Sequence, residues 1–215
     1  SAFGRIFNNT CMENTNNGIH LQSTNLLKNQ GHVLAANDCS NNMYGIRMRL
    51  GMTSTLSENT CNDNTFGIHL DTSINSHISS NEVIGNTNGI HLELSYGINI
   101  FNNSCVGNND IGIDILNSHD NVITGNLLGS NIYGAKLYNS PDNVLSFNDC
   151  LDSENGLRVE YSDRSILHGN NCSVSTYGIY VGDSLNVTIS ENNCSGNGDG
   201  IYLSFSHNST LWRNE

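Results

Sequence analysis

The sequence predicts an all-β fold, a parallel β-helix (solenoid) of about nine turns with 22 residues and three short strands per turn, and three observations predict it. One glycine recurs as Gly18, Gly45, Gly67, Gly89, Gly112, Gly134, Gly156, Gly178 and Gly200, at intervals of 27, 22, 22, 23, 22, 22, 22 and 22 residues. Aligned on that glycine, the turns share aliphatic columns that hold their register along the chain. Between them lie Asn and Ser columns, and 21 Gly with a single Pro complete a turn-rich β composition. One elongated domain spanning 1–215 is expected.

Every turn reads in the same order. Its first strand carries the apolar column Ile6, Leu34, Leu56, Ile78, Ile100, Ile123, Leu145, Leu167, Ile189 and Leu211, which never takes a polar residue. Three residues on stands Asn9, Asn37, Asn59, Asn81, Asn103, Asn126, Asn148, Asn170, Asn192 or Asn214. A corner is predicted there, because Asn tolerates left-handed backbone and stacked Asn side chains hydrogen-bond from turn to turn. The next strand carries Cys11, Cys39, Cys61, Val83, Cys105, Leu128, Cys150, Cys172 and Cys194. Val83 and Leu128 show that this column wants a small or medium apolar group, so the seven cysteines read as reduced core residues. Parallel strands also hold neighbouring Cβ atoms near about 4.8 Å, wider than the usual ~3.8 Å of a disulfide, with Cys150–Cys172 and Cys172–Cys194 left as occasional bridges. A looser column, Asn14, Asn42, Asn64, Asn86, Asn108, Asn131 and Asn197, marks a second corner. The third strand is Gly-Ile-x-Leu, whose inward pairs run from Ile19 and Leu21 to Ile201 and Leu203. Ser73, Ser95, Ser118, Ser140, Ser162, Ser184 and Ser206 mark the bend that follows.

One turn cannot hold itself together. Each inward aliphatic contributes about 1.5–3 kcal/mol, whereas each ordered residue costs roughly 1–2 kcal/mol in backbone entropy. Stability therefore comes from stacking, through shared ladders and a continuous core. The one long interval, Gly18 to Gly45, holds five extra residues, expected as a loop around Lys28 to His32.

The outward positions of the third strand form a stripe that carries the candidate chemistry. It reads His20, Arg47, His69, His91, Asp114, Lys136, Arg158, Tyr180 and Tyr202, with Gln22, Arg49, Asp71, Glu93, Leu116, Tyr138, Glu160, Gly182 and Ser204 two residues on. His69, Asp71, His91, Glu93 and Asp114 fall on three consecutive turns, where imidazoles and carboxylates serve a metal ion, sugar hydroxyls or proton transfer. Lys136 and Arg158 follow, and Tyr138, Tyr180 and Tyr202 offer faces to sugar rings. The plainer reading is that any solvent-facing column is polar and that opposite charges on adjacent strands pair. Asn8, Asn102, Asn171, Asn186, Asn193 and Asn208 begin Asn-x-Ser/Thr glycosylation acceptors.

Gly-Ile-x-Leu, then Ser-x-x-Asn, then Ile-x-x-Asn at this period resembles the repeats of the NosD-like and carbohydrate-binding/sugar-hydrolase group of right-handed parallel β-helices. The resemblance covers essentially the whole chain. It implies a right-handed single-stranded β-helix, as does the chirality of strand crossovers. It also implies a setting at the cell surface or in the periplasm, among polysaccharide lyases, epimerases and hydrolases, a copper-maturation protein and surface proteins. No catalytic motif of one subfamily is matched residue for residue.

A net charge of −12, from 8 Lys and Arg against 20 Asp and Glu, argues against nucleic acid or an anionic membrane as partner. No apolar run approaches a membrane span, and the chain starts and stops within repeats. The regularity of the turns favours an extracellular structural rod of an envelope, sheath or filament, needing no cofactor and stacking with itself end to end or laterally. The alternatives are a protein that binds or modifies cell-surface polysaccharide through the stripe, and a NosD-type periplasmic metal-delivery protein.

Overall fold

A computed structural model describes residues 3–25 and 29–215 and consists of two parallel sheets wound as a right-handed β-helix. One sheet has ten three-residue strands, from Arg5–Phe7 to Thr210–Trp212, and the other nine six-residue strands, from Asn17–Gln22 to Asp199–Ser204. The two kinds alternate along the chain, so every strand pairs with its counterpart one turn away. The Cys-bearing arm is reduced to one parallel bridge per turn, the series Thr10↔Asp38, Asp38↔Thr60 and onward to Asn171↔Asn193. No helix among the described residues is long and apolar enough to cross a membrane.

The inward columns are those that the alignment predicts. Leu34, Ile46, Met48, Leu56, Ile68, Leu70 and their counterparts are fully buried in one continuous core, while Leu203 and Leu211 in the last described turn remain partly open. All seven cysteines are free thiols, buried except for half-buried Cys11. Burial raises the Cys105 thiol far above its ordinary range. Cys61 and Cys172 are raised as well, Cys61 chiefly by burial and Cys172 chiefly by a hydrogen bond with Cys150.

The corners differ from expectation in an instructive way. Positive φ falls on the residue before each Asn or Ser column: Ala36, Glu58 and Ser80 before Asn37, Asn59 and Asn81, and Thr72 and Leu94 before Ser73 and Ser95. The columns themselves point inward as buried polar ladders. Asn59 donates its backbone N–H (2.9 Å) and its side-chain amide (2.9 Å) to Asn81 Oδ1, and the same amide donates to Leu34 O at 3.0 Å. Asn81 repeats the pattern onto Asn103 Oδ1 and Leu56 O. Where a bend carries the backbone out of the sheet ladder, the side-chain oxygen of the next turn replaces the missing carbonyl, as a buried N–H requires. The Ser column does the same with Oγ, as in Ser73 N–H to Ser95 Oγ at 3.0 Å.

The loop expected around Lys28 to His32 is displaced. Lys28 lies outside the described residues, but Asn29 and His32 are buried, Gln30 bridges Met52, and Gly31 N–H donates to Met52 O at 2.9 Å. Gln22 pairs with Arg49, so the five extra residues fall between Gln22 and Gln30 and the rod is rejoined by Asn29.

Candidate functional site

The outer face of the six-residue strands carries the predicted stripe in strict register. Arg47 pairs with His69, His69 with His91, His91 with Asp114, Asp114 with Lys136, Lys136 with Arg158, Arg158 with Tyr180 and Tyr180 with Tyr202. A further column, Asn17, Tyr44, Phe66, Asn88, Ile111, Tyr133, Asn155, Tyr177 and Asp199, stands one residue before each glycine. The glycine puts it there. A Cβ at Gly89 would lie 2.5 Å from the Gly112 carbonyl oxygen, so the inner slot beside each corner takes no side chain.

This neglected column changes the character of the stripe. The Phe66 ring packs on His69 (centroids 5.5 Å) and His91 (5.4 Å), Tyr44 stacks on Phe66 at 5.2 Å, and the two imidazoles meet edge to face at 4.8 Å. Under that cover His69 and His91 are only 5% and 7% exposed, although they stand on the outer face. His91 Nδ1 lies 2.8 Å from Asp114 Oδ2, which also receives a long 3.5 Å contact from the Asn88 amide. A carboxylate in that position fixes the imidazole tautomer with Nδ1 protonated and leaves Nε2 basic. Both His69 nitrogens are buried without a hydrogen-bond partner, and Nε2 stands 3.8 Å from Glu93 Oε2. Burial first, then His91 and Arg47, lower the His69 pKa to about 4 against the opposing pull of Asp71, so the ring is neutral at neutral pH.

Cations flank this centre on both sides. Arg47 sits 4.6 Å over the Tyr44 ring, its Nε buried without a partner, and makes no ion pair among the described residues. Arg49 is engaged by Asp71 at 3.1 Å. On the other side Lys136 stands 5.4 Å over Tyr133 and 6.0 Å over Tyr138. Arg158 binds Glu160 through two hydrogen bonds of 2.9 and 2.8 Å and lies 4.4 Å over Tyr180. That pairing raises Arg158 and lowers Glu160 relative to their ordinary values. Tyr180 and Tyr202 stack at 5.5 Å, with Tyr177 edge-on to both. Asp110, also unremarked in the sequence, has its carboxyl raised by burial, against Lys136 and with Asp114.

The structure thus joins His69, His91, Glu93 and Asp114 in one cluster, ties Asp71 to Arg49, and gathers Lys136, Arg158, Tyr138, Tyr180 and Tyr202 into a cationic and aromatic run toward the other end. The acceptor asparagines divide. Asn8, Asn102, Asn186 and Asn208 are exposed at positive φ, whereas the amides of Asn171 and Asn193 are spent on Asp149 and Asn171 respectively.

Solved structures share the fold across most of this chain. The periplasmic alginate epimerase AlgG superimposes with a TM-score of 0.78 at 21% identity over 87% of this chain and 52% of AlgG. The Azotobacter vinelandii mannuronan C-5 epimerase AlgE6 A-module gives 0.73 at 15% identity, covering 86% of this chain and 64% of the module. DFA-IIIase from Arthrobacter chlorophenolicus A6 gives 0.67 at 15% identity, over 82% of this chain and 49% of that enzyme. The chain therefore spans about half the length of AlgG. Among curated proteins no sequence matches it. The family model described as periplasmic copper-binding protein (NosD) matches residues 7–138 and 111–215, and the chain belongs to that family.

Proposed function

We propose that this protein is a periplasmic or extracellular β-helix that binds a uronate-containing polysaccharide along the outer face of its long-strand sheet and acts on it by proton abstraction next to the carboxylate. The observation that carries this reading is the His91–Asp114 pair standing midway between unpaired cations. Four of the eight Lys and Arg of an acidic chain, Arg47, Arg49, Lys136 and Arg158, lie on this one face. Strands about 4.8 Å apart put Arg47 and Lys136 each about 10 Å from His91, one on either side. A ligand that meets all three is a chain rather than a single sugar, and Tyr180 and Tyr202 extend the same line. Support for the substrate class and the setting comes from the structural relatives: AlgG is a periplasmic alginate epimerase and the AlgE6 module belongs to a mannuronan C-5 epimerase, and both polymers are polyuronates. These relatives favour a polysaccharide-modifying protein over a purely structural rod.

The chemistry follows from the geometry. The hydrogen on C5 of a uronate is acidified when its carboxylate is neutralised, which Arg47 or Lys136 supplies. His91 Nε2 accepts that proton, and Asp114 stabilises the resulting imidazolium. The carbanion then either takes a proton from water on the opposite face, inverting C5, or expels the C4 glycosidic oxygen, which takes up the proton held on His91, and leaves a C4–C5 double bond. The test is incubation with alginate, mannuronan and polygalacturonate in D2O, following C5 deuteration by NMR and unsaturated ends by ultraviolet absorbance. One polymer is expected to react, and His91→Gln to slow it about 100-fold or more. Neither exchange nor unsaturated product with any polyuronate would overturn the reading.

A further inference from the structure

We propose that His69, His91 and Glu93 form a three-ligand site for a divalent transition-metal ion, copper(II) foremost, with Asp114 as the carboxylate that positions His91. One ligand atom from each of the three lies within 4.8 Å of the others. The donor set is one that copper(II) takes: imidazole and carboxylate are tetragonal copper(II) ligands, and copper binds such sets more tightly than the other first-row divalent metals.

An independent observation points to a ligand. His69 is buried with neither ring nitrogen hydrogen-bonded, and the loss of water from an unpaired polar group costs about 1–3 kcal/mol. A metal bond at Nε2, 3.8 Å from Glu93 Oε2, would satisfy that nitrogen. The Glu93 side chain is 40% exposed and is the ligand free to swing inward and close the site. His91 presents the arrangement usual for a ligating histidine, with one nitrogen held by a carboxylate and the other available. Glu93 and Asp114 together offset the positive charge of nearby Arg47.

This site does not depend on the polysaccharide reading, though the two meet at His91. Copper bound at Nε2 would occupy the atom that takes the proton, so loaded protein is expected to lose C5 exchange. The decisive measurement needs no sugar. Protein stripped with chelator is titrated with copper(II) by calorimetry, and electron paramagnetic resonance reads the ligands. One tight equivalent is expected, with nitrogen splitting from two imidazoles. Glu93→Gln and Asp114→Asn should each weaken binding about tenfold or more, while His119→Gln on a different face leaves it unchanged, with circular dichroism confirming that each variant is folded. Glu93→Gln serves even if a His69 variant unfolds, because that side chain stands at the rim. Absence of a stoichiometric equivalent, or copper affinity indifferent to both carboxylate variants, or equal loss in His119→Gln, would overturn the proposal.

Discussion

Val174 is a β-branched residue held at φ 58° and 57% exposed, in a column where Gly85, Gly107 and Gly196 take the same left-handed backbone. Nothing it packs against offsets a conformation that costs an L-residue roughly 1–2 kcal/mol. Val174→Gly is therefore expected to stabilise the fold by about 0.5–1 kcal/mol in chemical denaturation, the gain being reduced by the larger entropy of the unfolded glycine. His69 acts in the opposite direction and only in acid. Its folded pKa of about 4 lies below the ordinary imidazole value of 6.5, so the unfolded chain takes up a proton that the folded ring refuses. The stability this contributes is complete above pH 6.5 and is lost as pH falls toward 4, to a limit of about 3 kcal/mol. Arg47, His91, Asp71, Glu93 and the rings of Tyr44 and Phe66 surround it, and several of these titrate in acid as well. The comparison must therefore be differential: in metal-free protein, His69→Gln should lose less melting temperature than wild type between pH 7 and pH 4.5. Equal losses would mean that the imidazole is protonated in the folded state.

At the scale of the element, the corner is the unit that holds adjacent turns together. Asn81 Oδ1 accepts the N–H and the amide of Asn59, and its own amide reaches Leu56 O and Asn103 Oδ1. Asn81→Ala leaves the buried Asn59 N–H without an acceptor, so a loss of about 2–4 kcal/mol is expected. Asn62→Ala removes two exposed hydrogen bonds, one to Glu82 and one from the Ile84 N–H, whose groups water can take over, and should cost less than about 1 kcal/mol in the same denaturation series. The two corner columns were legible in the sequence because a 22-residue period stacks like on like. The bent residue itself was not, since Ala36, Glu58, Ser80 and Phe147 share no side-chain chemistry and only their place before Asn identifies them. The same limit applied to the site. His69, His91, Glu93 and Asp114 stood out as outward polar residues on consecutive turns. Their burial could not be read, because it depends on Phe66 and Tyr44, which lie in a column that the strand alternation assigned to neither face.

The whole molecule is a one-dimensional array, and its functional stripe inherits that modularity. Each turn contacts only its neighbours, so removing one complete repeat should lower stability by one increment without dissolving the rod. Deleting residues 156–177 joins Asn155 to Gly178, and Asn155 already pairs with Tyr177, so the strand entering Ile179 keeps its register. The deletion leaves Arg47, His69, His91, Glu93, Asp114 and Lys136 in place and removes Arg158 and Glu160, bringing Tyr180 beside Lys136. The shortened chain is expected to show an unchanged β signature per residue and a cooperative melt at lower temperature. Copper affinity should match the full chain, because all three ligands and Asp114 lie in untouched turns. Polyuronate binding, which draws on the length of the stripe, should weaken several-fold. Loss of the cooperative melt would show that the turns are not independent repeats, and copper binding that falls with the deletion would place the metal elsewhere on the rod.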